Sequence, residues 1–126
     1  MVQESNIRIR IVDDRVLIRE ALELFVETRS NFTLVGQAPN GEEAISMCQA
    51  LNPDVVLIDI IMPGIGGVAA IRHIRQRFPN IRVIALTSHE TETTREEVLE
   101  AGAHEFLIKD ISGDTLASVI HAVCRA

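Results

Sequence analysis

The sequence predicts an α/β protein built on a mostly parallel sheet of five strands, with helices on both faces. Three observations predict it. Short apolar runs alternate with longer stretches of helical period along the whole chain. One run, VVLIDI, is nearly continuously apolar, as a strand covered on both faces is. Strands that alternate with helices in this way form βαβ units, whose strands lie parallel.

Each element has its own signal. Ile7 to Val12 (IRIRIV) alternates apolar and polar residues, which predicts a strand. Leu17, Ala21, Leu22 and Phe25 recur at helical spacing between Arg15 and Thr28. Phe32 to Ala38 predicts the second strand. Pro39, Asn40 and Gly41 form a turn, and Asn40 is placed to cap a helix running to about Leu51, with Glu43 three residues on. Asn52-Pro53 stops that helix, because the residue before proline disfavours the helical region. Val55 to Ile60 predicts the third strand, Met62 to Gly67 a loop, and Val68 to Phe78 a helix with Pro79 just beyond. Arg82 to Leu86 is the fourth strand. Thr93 and Glu96 have capping-box spacing for a helix that ends near Gly102. Glu105 to Ile108 is a short fifth strand. Ser112 or Gly113 starts the last helix, with Leu116, Val119, Ile120 and Val123 on one face.

A chain of 126 residues suits one domain and buries roughly two-thirds of its unfolded surface, enough for a core without staples. No apolar run approaches the ~18 residues needed to cross a bilayer, and MVQESNIRIR lacks the apolar stretch of a secretory signal. Cys48 and Cys124 form no metal-type cluster and read as reduced, buried thiols. These features predict a cytoplasmic protein with no membrane partner. His73, His89, His104 and His121 are scattered, which argues against a histidine metal cluster. A formal net charge of −6, with no Trp or Tyr, argues against nucleic-acid contact by this chain.

Open parallel sheets bind ligands outside the carboxyl ends of their strands. Asp13 and Asp14 follow the first strand, Asp59 ends the third, Thr87 and Ser88 follow the fourth, and Lys109 follows the fifth. Three converging carboxylates repel one another. A hard divalent cation such as Mg²⁺ relieves that repulsion through oxygen ligands. Lys109 adds a compact positive charge, and Thr87 a hydroxyl donor. Cation, ammonium and hydroxyl together suit the oxygens of a transferring phosphoryl group, and a carboxylate can accept that group as an aspartyl phosphate.

Taken in order, IVDDRVLIREAL, LIDIIMPGIGG, ALTS and AGAHEFLIKD resemble the receiver domain of two-component response regulators. The resemblance runs from Ile7 to Cys124, so residues 1–126 are expected to be one receiver (phosphoacceptor) domain. It implies a flavodoxin-like (βα)5 fold with strand order 2-1-3-4-5. It also implies that Asp59 takes a phosphoryl group from a sensor histidine kinase. Mg²⁺ would be held by Asp14 directly, by Asp13 mainly through water, by Asp59 and by the Ile61 carbonyl. Thr87 would bind the phosphoryl group, with Ser88 beside it, Lys109 would be the site lysine, and Phe106 the aromatic residue that swings inward on activation. Met62-Pro63 and Gly67 match the loop after the phosphoacceptor strand. No turnover enzyme is implied. The resemblance also implies that Ile61 and His89 flank the path of attacking water, so the branched apolar Ile61 predicts slow self-dephosphorylation.

Three positions depart from the family pattern: Arg15 where the nearest subfamily often has His, Gly66 where Asp is frequent, and Asp110 where many members have Pro. Those members carry a cis Lys-Pro bond, which leaves the Lys109-Asp110 bond open. Simpler roles exist for single residues. Asp13 and Asp14 suit a helix cap, Lys109 could pair with Asp110, and Phe106 could be ordinary core. The chain most resembles the NarL/LuxR-type subfamily, in which a helix-turn-helix DNA-binding domain follows the receiver. That implies transcription regulation through a C-terminal domain absent from these residues, with a homodimer on phosphorylation as an open outcome. The alternatives are a stand-alone receiver working by protein contact, a haloacid-dehalogenase-like phosphatase and an FMN binder. Asp59 lacks the D-x-D pattern of the phosphatase, and no Ser/Thr-rich phosphate loop follows the first strand.

Overall fold

A computed structural model describes residues 6–62, 64–88 and 92–125. In chain order the elements are β1 (Ile7–Val12), α1 (Val16–Glu27), β2 (Phe32–Ala38), α2 (Gly41–Leu51), β3 (Val55–Asp59), α3 (Gly66–Arg77), β4 (Arg82–Thr87), α4 (Glu92–Ala101), β5 (Glu105–Ile108) and α5 (Gly113–Arg125). The five strands form one parallel sheet, as the pattern predicts, in the order β2-β1-β3-β4-β5 that the family resemblance implies.

Strand alternation divides the core in two. Val55 and Leu57 of β3 join Ile9, Ile11, Ile84 and Leu86, covered by Val26 of α1 and Leu116 and Ile120 of α5. Val56 and Ile58 join Val12, Val83 and Ala85, covered by Ala44 and Cys48 of α2, Ala70, Ile71 and Ile74 of α3, and Val98 of α4. Every residue of β3 is buried, which explains its unbroken apolar run. Each fully buried aliphatic side chain contributes about 1.5–3 kcal/mol. The caps follow chemistry legible in the sequence. Asn40 accepts from the Glu43 N–H at 2.8 Å, and Ser112 Oγ accepts from the Thr115 N–H at 3.1 Å.

Several boundaries move. α3 begins at Gly66 rather than Val68, because Gly67 packs directly on the turn after β3. Its N–H donates to the Ile60 carbonyl at 3.1 Å, and a Cβ there would stand 2.3 Å from Ile60 Cα. β3 stops at Asp59 and β4 extends to Thr87. α4 begins at Glu92, so Thr93 lies inside the helix rather than at its cap. Pro63 and His89 lie outside the described residues. Cys48 is buried and Cys124 only half-buried; both are free thiols.

The polar residues of β1 do not simply face water. Arg8 reaches the end of α2, where Nη2 donates to the Leu51 carbonyl at 2.7 Å. Arg10, on the same side, is fully buried beneath α2. Its Nη2 makes one long bond to the Glu43 carbonyl at 3.4 Å, and its Nε and Nη1 have no partner. Burial pushes this guanidinium below its ordinary pKa, against the pull of Cys48 and Glu43.

At the opposite end of the sheet from the strand-end acids, His104 clamps β5 to β4. Its Nδ1 accepts from the Val83 N–H at 3.1 Å, and its own N–H donates to the Val83 carbonyl at 2.8 Å. Burial, then Arg75 and Arg82, hold the imidazole below its ordinary pKa. The unfolded chain therefore binds the extra proton first as pH falls below about 6.5. Stability is expected to decline from there down through the folded value. A His104→Leu chain should lose that part of the pH dependence in urea melts between pH 7.5 and 5; an unchanged slope would refute the clamp.

Candidate functional site: the carboxyl ends of the strands

Because the strands are parallel, their carboxyl ends share one side of the sheet. Asp13 and Asp14 lie just past β1, and Asp59 is the last residue of β3. Thr87 is the last residue of β4, and Lys109 lies just past β5. Backbone bonds fix these ends. Asp13 N–H donates to the Ala38 carbonyl at 3.1 Å, Ile60 N–H to Leu86 at 3.2 Å, and Lys109 N–H to Thr87 at 2.8 Å.

The side chains meet there. Lys109 Nζ donates to Asp13 Oδ2 at 2.7 Å and lies 3.3 Å from Asp59 Oδ1. Asp13 is 1 % and Asp59 3 % exposed, while Asp14 faces solvent. Lys109 thus pairs with Asp13 and Asp59 across the fold. Burial raises the Asp59 pKa; Lys109 opposes the rise, Asp13 adds to it, and the Ile61 N–H, donating to Oδ1 at 3.4 Å, opposes it. Carboxylate oxygens of Asp13, Asp14 and Asp59 all lie within 4.8 Å of one another. Three hard oxygen donors so close, two of them buried, fit a hard divalent cation such as Mg²⁺.

A cavity of about 340 Å³ opens beside these acids, lined by Asp14, Arg15, Asp59, Ile61 and Ser88. Ile61 is 69 % exposed. Thr87 is fully buried and pairs in register with Ile108, so it sits between Asp59 on β3 and Lys109 beyond β5. Phe106 is buried in the core shared with Val98 and Ala101, with the Arg95 guanidinium 5.9 Å from its ring centroid. No cis peptide bond occurs among the described residues, so Lys109-Asp110 is trans.

Arg19 escapes a motif-based reading, and Arg15 is marked by it only as a departure from the family pattern. Arg19 Nη1 donates to the Asp13 carbonyl at 2.6 Å, and Arg15 Nη2 donates to Ser88 Oγ at 3.3 Å. In the sequence Arg15 directly follows Asp14, and Arg19 lies one helical turn beyond Arg15. The capping role considered for the acids is not made: Arg15 is the N-cap of α1 without a side-chain cap bond, and Asp13 Oδ1 instead accepts from the Arg15 N–H at 2.9 Å, just before the helix.

A lysine bridges two buried acids at the carboxyl ends of a parallel sheet ordered 2-1-3-4-5. The chain belongs to the response regulator receiver domain family, whose model matches residues 9–121; it is a receiver domain of the two-component response regulators. It is 36% identical to the transcriptional regulatory protein DegU of Brevibacillus brevis, over 98% of this chain and 52% of that protein. It is 38% identical to the response regulator GacA of Pseudomonas viridiflava, over 93% of this chain and 53% of that protein. The crystal structure of a LuxR-family two-component response regulator from Aurantimonas sp. SI85-9A1 matches with a TM-score of 0.90 at 32% identity. That match covers 96% of this chain and 86% of the other. The chain spans about half the length of the curated relatives it matches. Among the described residues, no helix is long and apolar enough to cross a membrane.

Proposed function

We propose that Asp59 is the phosphoacceptor of this receiver, taking its phosphoryl group from the phosphohistidine of a sensor histidine kinase. The observation that carries this is the ammonium of Lys109 held between the buried carboxylates of Asp13 and Asp59, beside a cavity open to a donor. An Asp59 oxygen forms the new O–P bond as the donor's N–P bond breaks. Lys109 and the Ile61 N–H both hold Oδ1 and so fix the plane of the carboxylate. Asp13, Asp14, Asp59 and the Ile61 carbonyl would hold Mg²⁺, which supplies positive charge to the transferring oxygens. Thr87 then turns its hydroxyl to the phosphoryl group, and Phe106 and the β4–α4 and β5–α5 surfaces shift between two populations. The output is transcription regulation in the cytoplasm, through a DNA-binding domain outside these residues. The relative DegU, a transcriptional regulatory protein, supports it.

The test is phosphotransfer from a phosphohistidine donor with and without Mg²⁺. Uptake is expected to need the metal and to vanish in Asp59→Asn; persistent uptake in that variant would remove Asp59 from the role. The same variant has a second expected outcome in metal-free protein. A raised carboxyl pKa means that the folded state keeps its proton longer than the unfolded chain. Stability therefore falls as pH rises from about 4 through the raised Asp59 value. Asp59→Asn removes that loss and leaves Lys109 paired with Asp13, so it should unfold at higher urea than the parent at neutral pH.

A further inference from the structure

Two cations approach Asp59, and they come from different sides. Lys109 lines a separate pocket together with Ile18 and Leu22 of α1, Leu86 of β4 and Leu116 of α5. Arg15 instead stands at the mouth of the Asp59 cavity. Its Nε lies 3.7 Å from Asp13 Oδ1, and its Nη2 crosses to Ser88 Oγ at 3.3 Å. The side chain therefore spans from the end of β1 to the end of β4, over the space into which an Asp59 substituent would project.

Both contacts are weak. The side chain is 50% exposed, one contact is long, and the other goes to a neutral hydroxyl. An exposed pair of this kind holds its geometry with little free energy. A phosphoryl group offers the guanidinium far more, namely a double negative charge and a planar pair of acceptor oxygens that its fork can grip.

We propose that Arg15 is a second phosphoryl-binding cation. Once Asp59 is phosphorylated, its guanidinium leaves Ser88 and donates to the phosphoryl oxygens, opposite Lys109. The inference rests on Asp59 being the phosphoacceptor and adds a residue to that site. Hydrolysis requires water to reach phosphorus from the cavity, breaking the Asp59 O–P bond and releasing inorganic phosphate. The guanidinium on one wall and the Ile61 side chain on the other narrow that approach, so Arg15 lengthens the life of the phosphorylated state.

The experiment compares the parent chain with Arg15→Ala, Arg15→Gln and Arg15→Lys in excess Mg²⁺. One readout is the half-life of the phosphoryl group after labelling with acetyl phosphate. The other is the affinity for beryllofluoride, a non-hydrolysing mimic. Arg15→Ala is expected to shorten the half-life about fivefold and to weaken beryllofluoride binding to a similar degree. Arg15→Gln, which can still bond Ser88 but carries no charge, should behave like Arg15→Ala, and Arg15→Lys should fall between. Urea melts check that the variants are folded. Parental half-life and affinity in Arg15→Ala would overturn the proposal, as would an Arg15→Gln chain indistinguishable from the parent, which would mark a tie to Ser88 only. Uptake that persists in Asp59→Asn would overturn the Asp59 assignment and Arg15 with it, whereas Asp59-dependent uptake with unaltered Arg15 variants overturns Arg15 alone.

Discussion

Lys109→Met is expected to cost about 3 kcal/mol in metal-free protein at neutral pH, the low end for stripping one partner from a buried ion pair beside open solvent. The Lys109 side chain is 11% exposed and is the cation between the two buried side chains of Asp13 and Asp59. Without it, Asp13 and Asp59 face each other, and among the described residues the ion pair left to their carboxylates is the 3.7 Å one from Arg15 Nε to Asp13. Asp59 then escapes part of the cost by holding its proton longer still, so the loss deepens as pH rises. Added Mg²⁺ should restore more stability to the variant than to the parent, because the metal takes over the missing charge. Phosphoryl uptake should fall by at least about a hundredfold even with the metal present, since one donor to the transferring oxygens is gone. Paired urea melts with and without Mg²⁺ measure the first effect. A metal-free Lys109→Met chain as stable as the parent would mean that the bridge carries no stability.

The second large effect has the opposite sign. Arg10→Met is expected to stabilise the fold by about 2 kcal/mol, because replacing a buried, poorly paired charge with an apolar side chain of similar length often stabilises by 1–4 kcal/mol. Two of the Arg10 nitrogens have no partner, and the third makes only a 3.4 Å bond. The thermal midpoint should rise by roughly 5–10 °C. Arg10→Ala is the control. It removes the same charge but leaves a hole beneath α2, so it should be less stable than Arg10→Met by about 2 kcal/mol. If Arg10→Met lowered the midpoint instead, the guanidinium would have to be satisfied by internal water.

These two residues show how differently local pattern and three-dimensional context speak. Lys109 is legible as a site residue because it follows a strand, and every strand-following polar group in a parallel sheet arrives at the same side. The same reasoning brings in Asp13, Asp14, Asp59 and Thr87 without any knowledge of distances. The environment of Arg10 is not given by pattern. The alternation of IRIRIV puts it on the same side of the sheet as Arg8, yet α2 covers it while Arg8 reaches the helix end. Alternation states which side of the sheet a residue occupies, and only the packed helix decides whether that side is wet. Gly67 is a similar case. As part of a glycine-rich stretch it reads as loop, whereas the tight approach to the Ile60 backbone makes it the first turn of α3.

The sequence by itself determined the element order, the parallel sheet and the identity of the converging acids and lysine, because hydrophobic period and strand-end position are local properties that topology converts into proximity. The tertiary structure alone decided the partners. It set Lys109 on Asp13 rather than on Asp110, closed Arg15 across to Ser88, and buried Phe106 and Arg10. Those outcomes depend on ångström-scale distances between segments far apart along the chain, and neither spacing nor composition encodes such distances.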